Sequence, residues 1–227
     1  PNVPSGPMKN PNFIHQGWAL PTVMAVLGLC ALSATSLARG LWLHTNLLRS
    51  DGDELRARWG AEALLREAEQ DLLASFVAIK DARHSTPAPE TLPKSPFIPH
   101  TSAGVAQLKK ALPSGLCMDG ICAPDALEPT SAAQWLQRLK TAARYGQYTG
   151  GGPNWGSQIN PALAERSGYW LEAFSSADAT KTTPLWRITA LAQASPRSAP
   201  IVLQAWWQGA SDNTTGGRWL SWHEVLP

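Results

Sequence analysis

The chain has 227 residues, with 19 Lys and Arg against 17 Asp and Glu, so its formal net charge is only +2. So small a charge gives no electrostatic case for binding nucleic acid, and the length allows one or two domains. Charged residues make up 16% of the chain, while its 11 Trp favour sheets and contact surfaces over a helical bundle.

The first predicted element is an uncharged segment from Trp18 to Ala38. As a helix it would extend about 32 Å, roughly the thickness of the hydrocarbon core of a bilayer. A cleaved secretory signal has a shorter apolar region that ends in a small-x-small site, and Ser36-Leu-Ala38 offers such a site. Three interpretations therefore compete: a cleaved signal, a permanent anchor, and a helix that passes from the membrane into an assembly.

The helical pattern continues beyond Arg39, which argues against cleavage there. Apolar residues recur at spacings of three and four along one side, namely Leu65, Ala68, Leu72, Phe76 and Ile79. Arg58 and Glu62 have the spacing of a favourable pair on the solvated side. The sequence predicts one long, partly interrupted helix from about Trp18 to Lys80, apolar all round at first and amphipathic afterwards.

A smaller helix and a sheet are predicted for the rest of the chain. A Pro-rich stretch at 85–99 ends the long helix, and Ser131 is placed to cap a second helix that reaches Tyr145. Strands with aromatic and β-branched residues, separated by turn residues, are predicted at Gly168–Phe174, Leu185–Gln193, Ile201–Gln208 and Arg218–Trp222. This pattern favours an antiparallel meander that covers the amphipathic half of the long helix, an α+β domain with one shared core.

The cysteines are the strongest candidates for special chemistry. Cys117 and Cys122 flank an Asp-Gly turn and would form a disulfide in an oxidising compartment, with free thiols and a zinc site as alternatives. Zinc lacks further ligands at a suitable spacing, because the five His are scattered, and Cys30 is simply an apolar helix residue.

Sequence motifs for catalysis are missing. The chain has no phosphate loop, nucleophile elbow, zinc-protease helix or dinucleotide fingerprint. Of the four Trp at positions 206, 207, 219 and 222, about half are expected in the core and the others on a recognition surface. We therefore predict a protein that is not an enzyme, with no catalytic, cofactor-binding or metal-binding residues.

Several features together resemble type IV pilin-like proteins, specifically the PilX family of minor pilins of type IV pilus assembly. They are Gly17-Trp18 directly before the uncharged helix, the run Ala-Glu-Ala-Leu-Leu-Arg-Glu-Ala-Glu at 61–69, and Gly-Ile-Cys-Ala-Pro at 120–124. The predicted strands that begin near Trp186 and at Ile201 are similar to the paired strands that close the family's domain. The resemblance implies a pilin-like fold, with a long N-terminal helix packed on an antiparallel sheet.

The resemblance also implies how the chain is processed. In this family a prepilin peptidase cuts after the glycine that ends a short leader, and the new N-terminal amine is methylated. Cleavage would fall between Gly17 and Trp18, and Trp18 would be methylated. The implied organisation is a leader at 1–17, a transmembrane or filament-core helix at 18–40, an amphipathic continuation at 41–82, and a periplasmic globular domain at 83–227 that ends in a β-meander.

One position departs from the usual pilin pattern. Major pilins carry Glu at the fifth mature position, where this chain has Thr22. A buried carboxylate is costly unless it is paired, so its absence removes both a cost and a docking contact. Because the first subunit of a filament has no earlier neighbour to contact, we take placement at or near the pilus tip as a hypothesis.

The expected function is a non-enzymatic minor pilin that helps to prime pilus assembly, with links to fimbrium biogenesis, cell adhesion and twitching motility. The implied partners are other minor pilins and the major pilin through the N-terminal helix, the prepilin peptidase, inner-membrane lipid, and a large tip adhesin. The implied location is the bacterial inner membrane, with a periplasmic globular domain, and later the pilus at the cell surface. The alternatives are a minor pseudopilin of a type II secretion system and, in another class, a membrane-anchored periplasmic binding protein or enzyme.

Overall fold

A computed structural model describes residues 19–74, 96–112, 115–124, 129, 131–149, 164–175, 183–209 and 216–226. The chain divides into two compact units, Pro1–Arg49 and Ser50–Pro227. The helices are α1 (Ala19–Ala74), α2 (Ser102–Ala111) and α3 (Ala132–Arg138), which runs into a 3-10 turn at Leu139–Thr141. The strands are β1 (Cys117–Met118), β2 (Ile121–Cys122), β3 (Ser167–Phe174), β4 (Leu185–Ala192), β5 (Ile201–Gly209) and β6 (Gly217–Val225).

The six strands form one sheet in the order β1-β2-β3-β4-β5-β6. Each neighbouring pair is antiparallel except β2 and β3, which run parallel. The four predicted strands are confirmed as the antiparallel meander β3–β6, with ends that shift by up to three residues. The α+β class is confirmed too, since a long apolar helix precedes this mostly antiparallel sheet.

The second half of α1 and the sheet share the core of the larger unit, as predicted. On α1 the buried apolar residues are Ala57, Ala61, Leu64, Leu65, Ala68 and Leu72. The sheet face opposite them is tied to α1 by two hydrogen bonds: the Tyr169 hydroxyl donates to Asp71 over 2.8 Å, and Trp207 Nε1 donates to Glu69 over 3.2 Å. These bonds give buried polar groups their partners, which fixes how α1 lies on the sheet. The predicted stripe residues Phe76 and Ile79, and the predicted helix end at Lys80, lie outside the described residues.

α3 covers part of the opposite face of the sheet. The Ser131 side chain caps it by accepting a hydrogen bond from the Gln134 amide, as predicted, but the helix ends at Arg138 rather than near Tyr145. Trp135 of α3 is buried against Trp170 of β3, with ring centroids 6.0 Å apart. Further along this face, Glu172 is fully buried and accepts two hydrogen bonds from Arg187, whose guanidinium lies over the Phe174 ring.

Hydrogen bonds of two charged side chains, Glu67 and Arg144, hold the segment after the 3-10 turn against α1 and β3. The buried Glu67 of α1 accepts hydrogen bonds from the Gly146 amide, over 2.8 Å, and from the Thr149 hydroxyl. Burial, and next the charge of Glu67, raise the pKa of Tyr145. The Arg144 guanidinium donates to main-chain carbonyls of both the 3-10 turn and the start of β3; burial lowers its pKa, partly opposed by Glu165.

β1 and β2 form a two-residue hairpin joined by a Cys117–Cys122 disulfide. Both turn residues have a positive φ, 52° at Asp119 and 77° at Gly120, which is the type I′ pattern of Asp-Gly turns. Gly120 links the hairpin to its surroundings, because its amide donates to the Thr141 carbonyl and its carbonyl accepts from the Leu171 amide, both over 2.7 Å. Of the three states considered for these cysteines, the structure contains the disulfide.

Removal of this disulfide is expected to weaken the domain moderately. A C117S/C122S variant should lose about 2 kcal/mol of unfolding free energy, since a short loop limits the entropic gain from closure. Denaturant unfolding measures the loss, and mass spectrometry after alkylation without reductant counts the thiols of the native protein. Alkylation of all three cysteines in the native protein would contradict the disulfide, whereas alkylation of Cys30 alone agrees with it.

Candidate functional site

Within the unit Pro1–Arg49, the described residues form a helix that exposes apolar side chains all round. From Leu20 to Leu48 the large apolar residues are all more than half exposed, namely Leu20, Val23, Met24, Val26, Leu27, Leu29, Leu32, Leu37, Leu41, Trp42, Leu43, Leu47 and Leu48. α1 is long and apolar enough here to cross a membrane. We call residues 20–48 the apolar helix segment.

Three hydroxyl side chains in the middle of the apolar helix segment form hydrogen bonds within the helix itself. The hydroxyls of Ser33, Thr35 and Ser36 donate to carbonyls one turn earlier, at Leu29 and Leu32, over 2.8–2.9 Å. A hydroxyl that is bonded within its own helix costs less in an apolar surrounding than one that needs water. The part of the segment from Leu20 to Ala38, which has no charged residue, is therefore suited to lipid or to burial among other apolar helices.

The residues predicted for processing are described only in part. Gly17 and Trp18 lie outside the described residues, so cleavage and methylation there stay predictions. Thr22 lies on the exposed surface of α1. The helix passes without interruption through position 40, where the predicted membrane part gives way to the amphipathic part.

A second exposed apolar surface lies in the larger unit, between α1 and β6. A cleft of about 310 Å³ is lined by Glu62, Leu65 and Arg66 of α1 and by Trp219 and Trp222 of β6. The two Trp are 37% and 57% exposed, whereas Trp207 of the neighbouring strand is fully buried. About half of the four Trp were expected in the core, but only Trp207 is fully buried and Trp206 is partly buried.

Both β6 tryptophans face α1, although they are three residues apart. Trp219 pairs with Trp207 and Trp222 pairs with Ala205, and the register shifts between them at Trp206/Trp207. Strict alternation would put residues 219 and 222 on opposite faces of the strand, so the irregularity turns both toward the helix. This orientation could not be predicted, because a one-residue shift in strand pairing is not visible in a pattern of alternation.

A third depression, of about 450 Å³ and lined by polar and apolar groups alike, lies between the disulfide hairpin and α3. Gln134, Gln137 and Arg138 of α3 line it, together with Leu116 and Cys117. In the part of the chain that the structure describes, no three or more His, Cys, Asp or Glu residues are grouped so that they would hold a metal ion. The apolar helix segment and the α1–β6 cleft are therefore the two surfaces that suggest a function.

Comparison of the chain with protein-family models, with curated proteins and with solved structures finds no match. What the protein does must therefore be inferred from its own surfaces and motifs.

Proposed function

We propose that this protein is a minor pilin of the PilX type, a non-enzymatic subunit that helps to prime type IV pilus assembly. One observation carries the proposal: a single helix is apolar on all sides from Leu20 to Ala38 and continues without a break into a half whose apolar stripe is buried by an antiparallel sheet. An anchor alone needs no such continuation. A subunit that is stored in the membrane and later packed into a filament uses both halves.

The apolar helix segment requires an apolar surrounding to be stable. Each exposed Leu, Val or Met costs about 1.5–3 kcal/mol in water relative to an apolar surrounding. Lipid provides that surrounding before assembly, and the apolar helices of other pilins provide it afterwards. The uncharged stretch from Trp18 to Ala38 crosses the bilayer in this proposal, with the larger unit in the periplasm.

The tip position is the second part of the proposal, and Thr22 supports it. A subunit inside the filament uses a carboxylate at this position to meet the N-terminal amine of a neighbour, and Thr22 has none. The proposed partners are other minor pilins, the major pilin and a large tip adhesin. Gold labelling of the protein on isolated pili is expected to mark one end, and even labelling along the shaft would contradict tip placement.

Changing Gly17 to Leu is expected to leave the 17-residue leader attached, because the peptidase requires a glycine before the cut. The mature wild-type protein extracted from membranes should begin at a methylated Trp18, whereas G17L should retain the leader and be absent from pili. Intact-mass spectrometry with N-terminal sequencing measures both results. G28L is the matched control: a side chain at Gly28 has open space, so its processing should be normal.

Two results would contradict the proposed processing, and each would point to a different explanation. A mature protein of normal length in G17L would show that Gly17 does not define the cut. A wild-type protein that begins near residue 39, free in the periplasm, would show that the apolar helix segment is a cleaved signal. In either case the proposed assembly role would fail.

A further inference from the structure

The last strand of the sheet is exposed along nearly all its length. Within the described residues β6 pairs with β5 and stands at the end of the strand order. Seven of its nine residues are exposed and the last two are half-exposed. An edge strand presents backbone amides and carbonyls that another strand can pair with, and natural proteins usually shorten or cover such an edge. Nine residues, seven of them exposed, are a long edge to leave open.

The side chains next to this edge are apolar on two separate elements. On β6 they are Trp219, Leu220 and Trp222, and on α1 they are Leu55 and Trp59. Leu55 and Trp59 lie seven residues before Glu62 and Arg66 of the cleft, two helical turns, so they occupy the same side of α1. A further strand beside β6 would place its side chains over this row of α1 and over the two Trp. The added strand would therefore cover the apolar side chains of α1 and those of β6 at the same time.

We propose that the α1–β6 cleft and the free edge of β6 bind an extended segment of another protein, which adds a seventh strand to the sheet. The cleft, about 310 Å³, has room for one large apolar side chain between the Trp rings and Leu65. Backbone pairing along an edge supplies affinity in this mode of recognition, and pockets for alternate side chains supply selectivity. This surface is distinct from the apolar helix segment, so the inference goes beyond the proposed function.

The exposed backbone of β6, rather than the area of the apolar surface, favours a single strand over a second folded copy. With 150–250 Å² for a buried aromatic residue, the exposed parts of these Trp and Leu side chains amount to on the order of 400 Å². A specific interface between folded proteins buries about 800 Å² on each partner. A little over half of such an interface is apolar, so a patch of this size fits either kind of partner; the exposed backbone of β6, which an extended strand pairs with, favours a strand.

The charges at the cleft define the sequence that would fit. Glu62 and Arg66 line the cleft one turn apart, and the Arg58–Glu224 ion pair, at 3.1 Å, joins α1 to the end of β6. A complementary strand carries an apolar residue for the cleft, with a basic residue near Glu62 and an acidic residue near Arg66. The site thus selects an alternating segment with charges of both signs rather than a uniformly apolar one.

The test uses the full chain in mild detergent and a phage library of linear twelve-residue peptides. Selected peptides, once synthesised, should slow amide hydrogen exchange in β6 at least tenfold, and a central proline in the peptide should abolish binding. A W219A/W222A variant should bind them at least tenfold more weakly. The matched control, L116A/M118A, removes exposed apolar side chains beside the opposite edge of the sheet and should change binding less than twofold.

Several outcomes would overturn the inference. They are a selection that yields no binding peptide, protection that falls outside β6, and equal binding by the two double variants. A wild-type dimer that W222A dissociates in analytical ultracentrifugation would show that the occupant is a second copy instead. If W219A/W222A alters amide exchange in β3–β5, the single W222A variant, at a 57% exposed residue, replaces it. None of these results bears on processing at Gly17, so failure here leaves the proposed function standing.

Discussion

Replacing Glu172 with Gln is expected to lower the unfolding free energy of the domain by about 3 kcal/mol. Glu172 is fully buried and accepts hydrogen bonds of 2.6 and 2.9 Å from Arg187, whose side chain is only 12% exposed. Gln still accepts one hydrogen bond, but the Arg187 guanidinium, which lies over the Phe174 and Trp206 rings, then has no carboxylate to balance its charge. Denaturant unfolding in mild detergent, followed by Trp fluorescence, measures the loss.

Two further variants separate the charge from the packing. E62Q removes a carboxylate that is 46% exposed and 3.9 Å from Arg58, so it should change stability by less than about 0.5 kcal/mol. Replacing both partners, as in E172L/R187M, should recover most of the loss, because no unpaired charge is then buried. An E172Q variant as stable as E62Q would show that the buried pair does not hold β3 to β4.

Replacing Gly120 with Ala is expected to destabilise the domain by about 2–5 kcal/mol. A methyl group there would lie 2.5 Å from the Ala143 Cβ and 2.7 Å from the Ala143 amide nitrogen. The residue also has a φ of +77°, which L side chains adopt at a cost. Thermal unfolding should show the loss, together with faster amide exchange at Leu171, whose amide donates to the Gly120 carbonyl.

Gly115 is the matched control for this prediction. Its φ of +80° is nearly the same, but a methyl group there would have no atom within 4 Å. G115A should therefore lose only about 1–2 kcal/mol, the cost of the backbone conformation alone. The difference between the two variants measures the close approach of the hairpin to Ala143, and equal losses would show that this contact contributes nothing.

The main elements were predictable because each carries a long and regular pattern. The four strands of the meander have eight or nine residues and are separated by turn residues, and the stripe on α1 recurs over several turns. Ser131 was identified as a cap because its hydroxyl is a good acceptor at the start of a helix. Local chemistry was sufficient for all of these features.

The elements that prediction missed depend on distant contacts or are short. β1 and β2 have two residues each, too few to show alternation, and the parallel pairing of Ile121 with Leu171 joins residues far apart in sequence. α2 was overlooked although Thr101 caps it by accepting from the Gly104 amide. The exposure of Trp219 and Trp222 was equally hidden, because alternation predicts the face of a strand but not its place at the edge of the sheet.

The parallel pairing of β2 with β3 affects the order in which the larger unit folds. β3 to β6 are neighbours in both sequence and space, so their hairpins close small loops at a low entropic cost. β2 must instead wait for a connection of more than forty residues, including α3, to return the chain beside it. The C-terminal meander is therefore the expected folding nucleus, and during synthesis from the N-terminal end the β1–β2 hairpin stays without its parallel partner until β3 has been added.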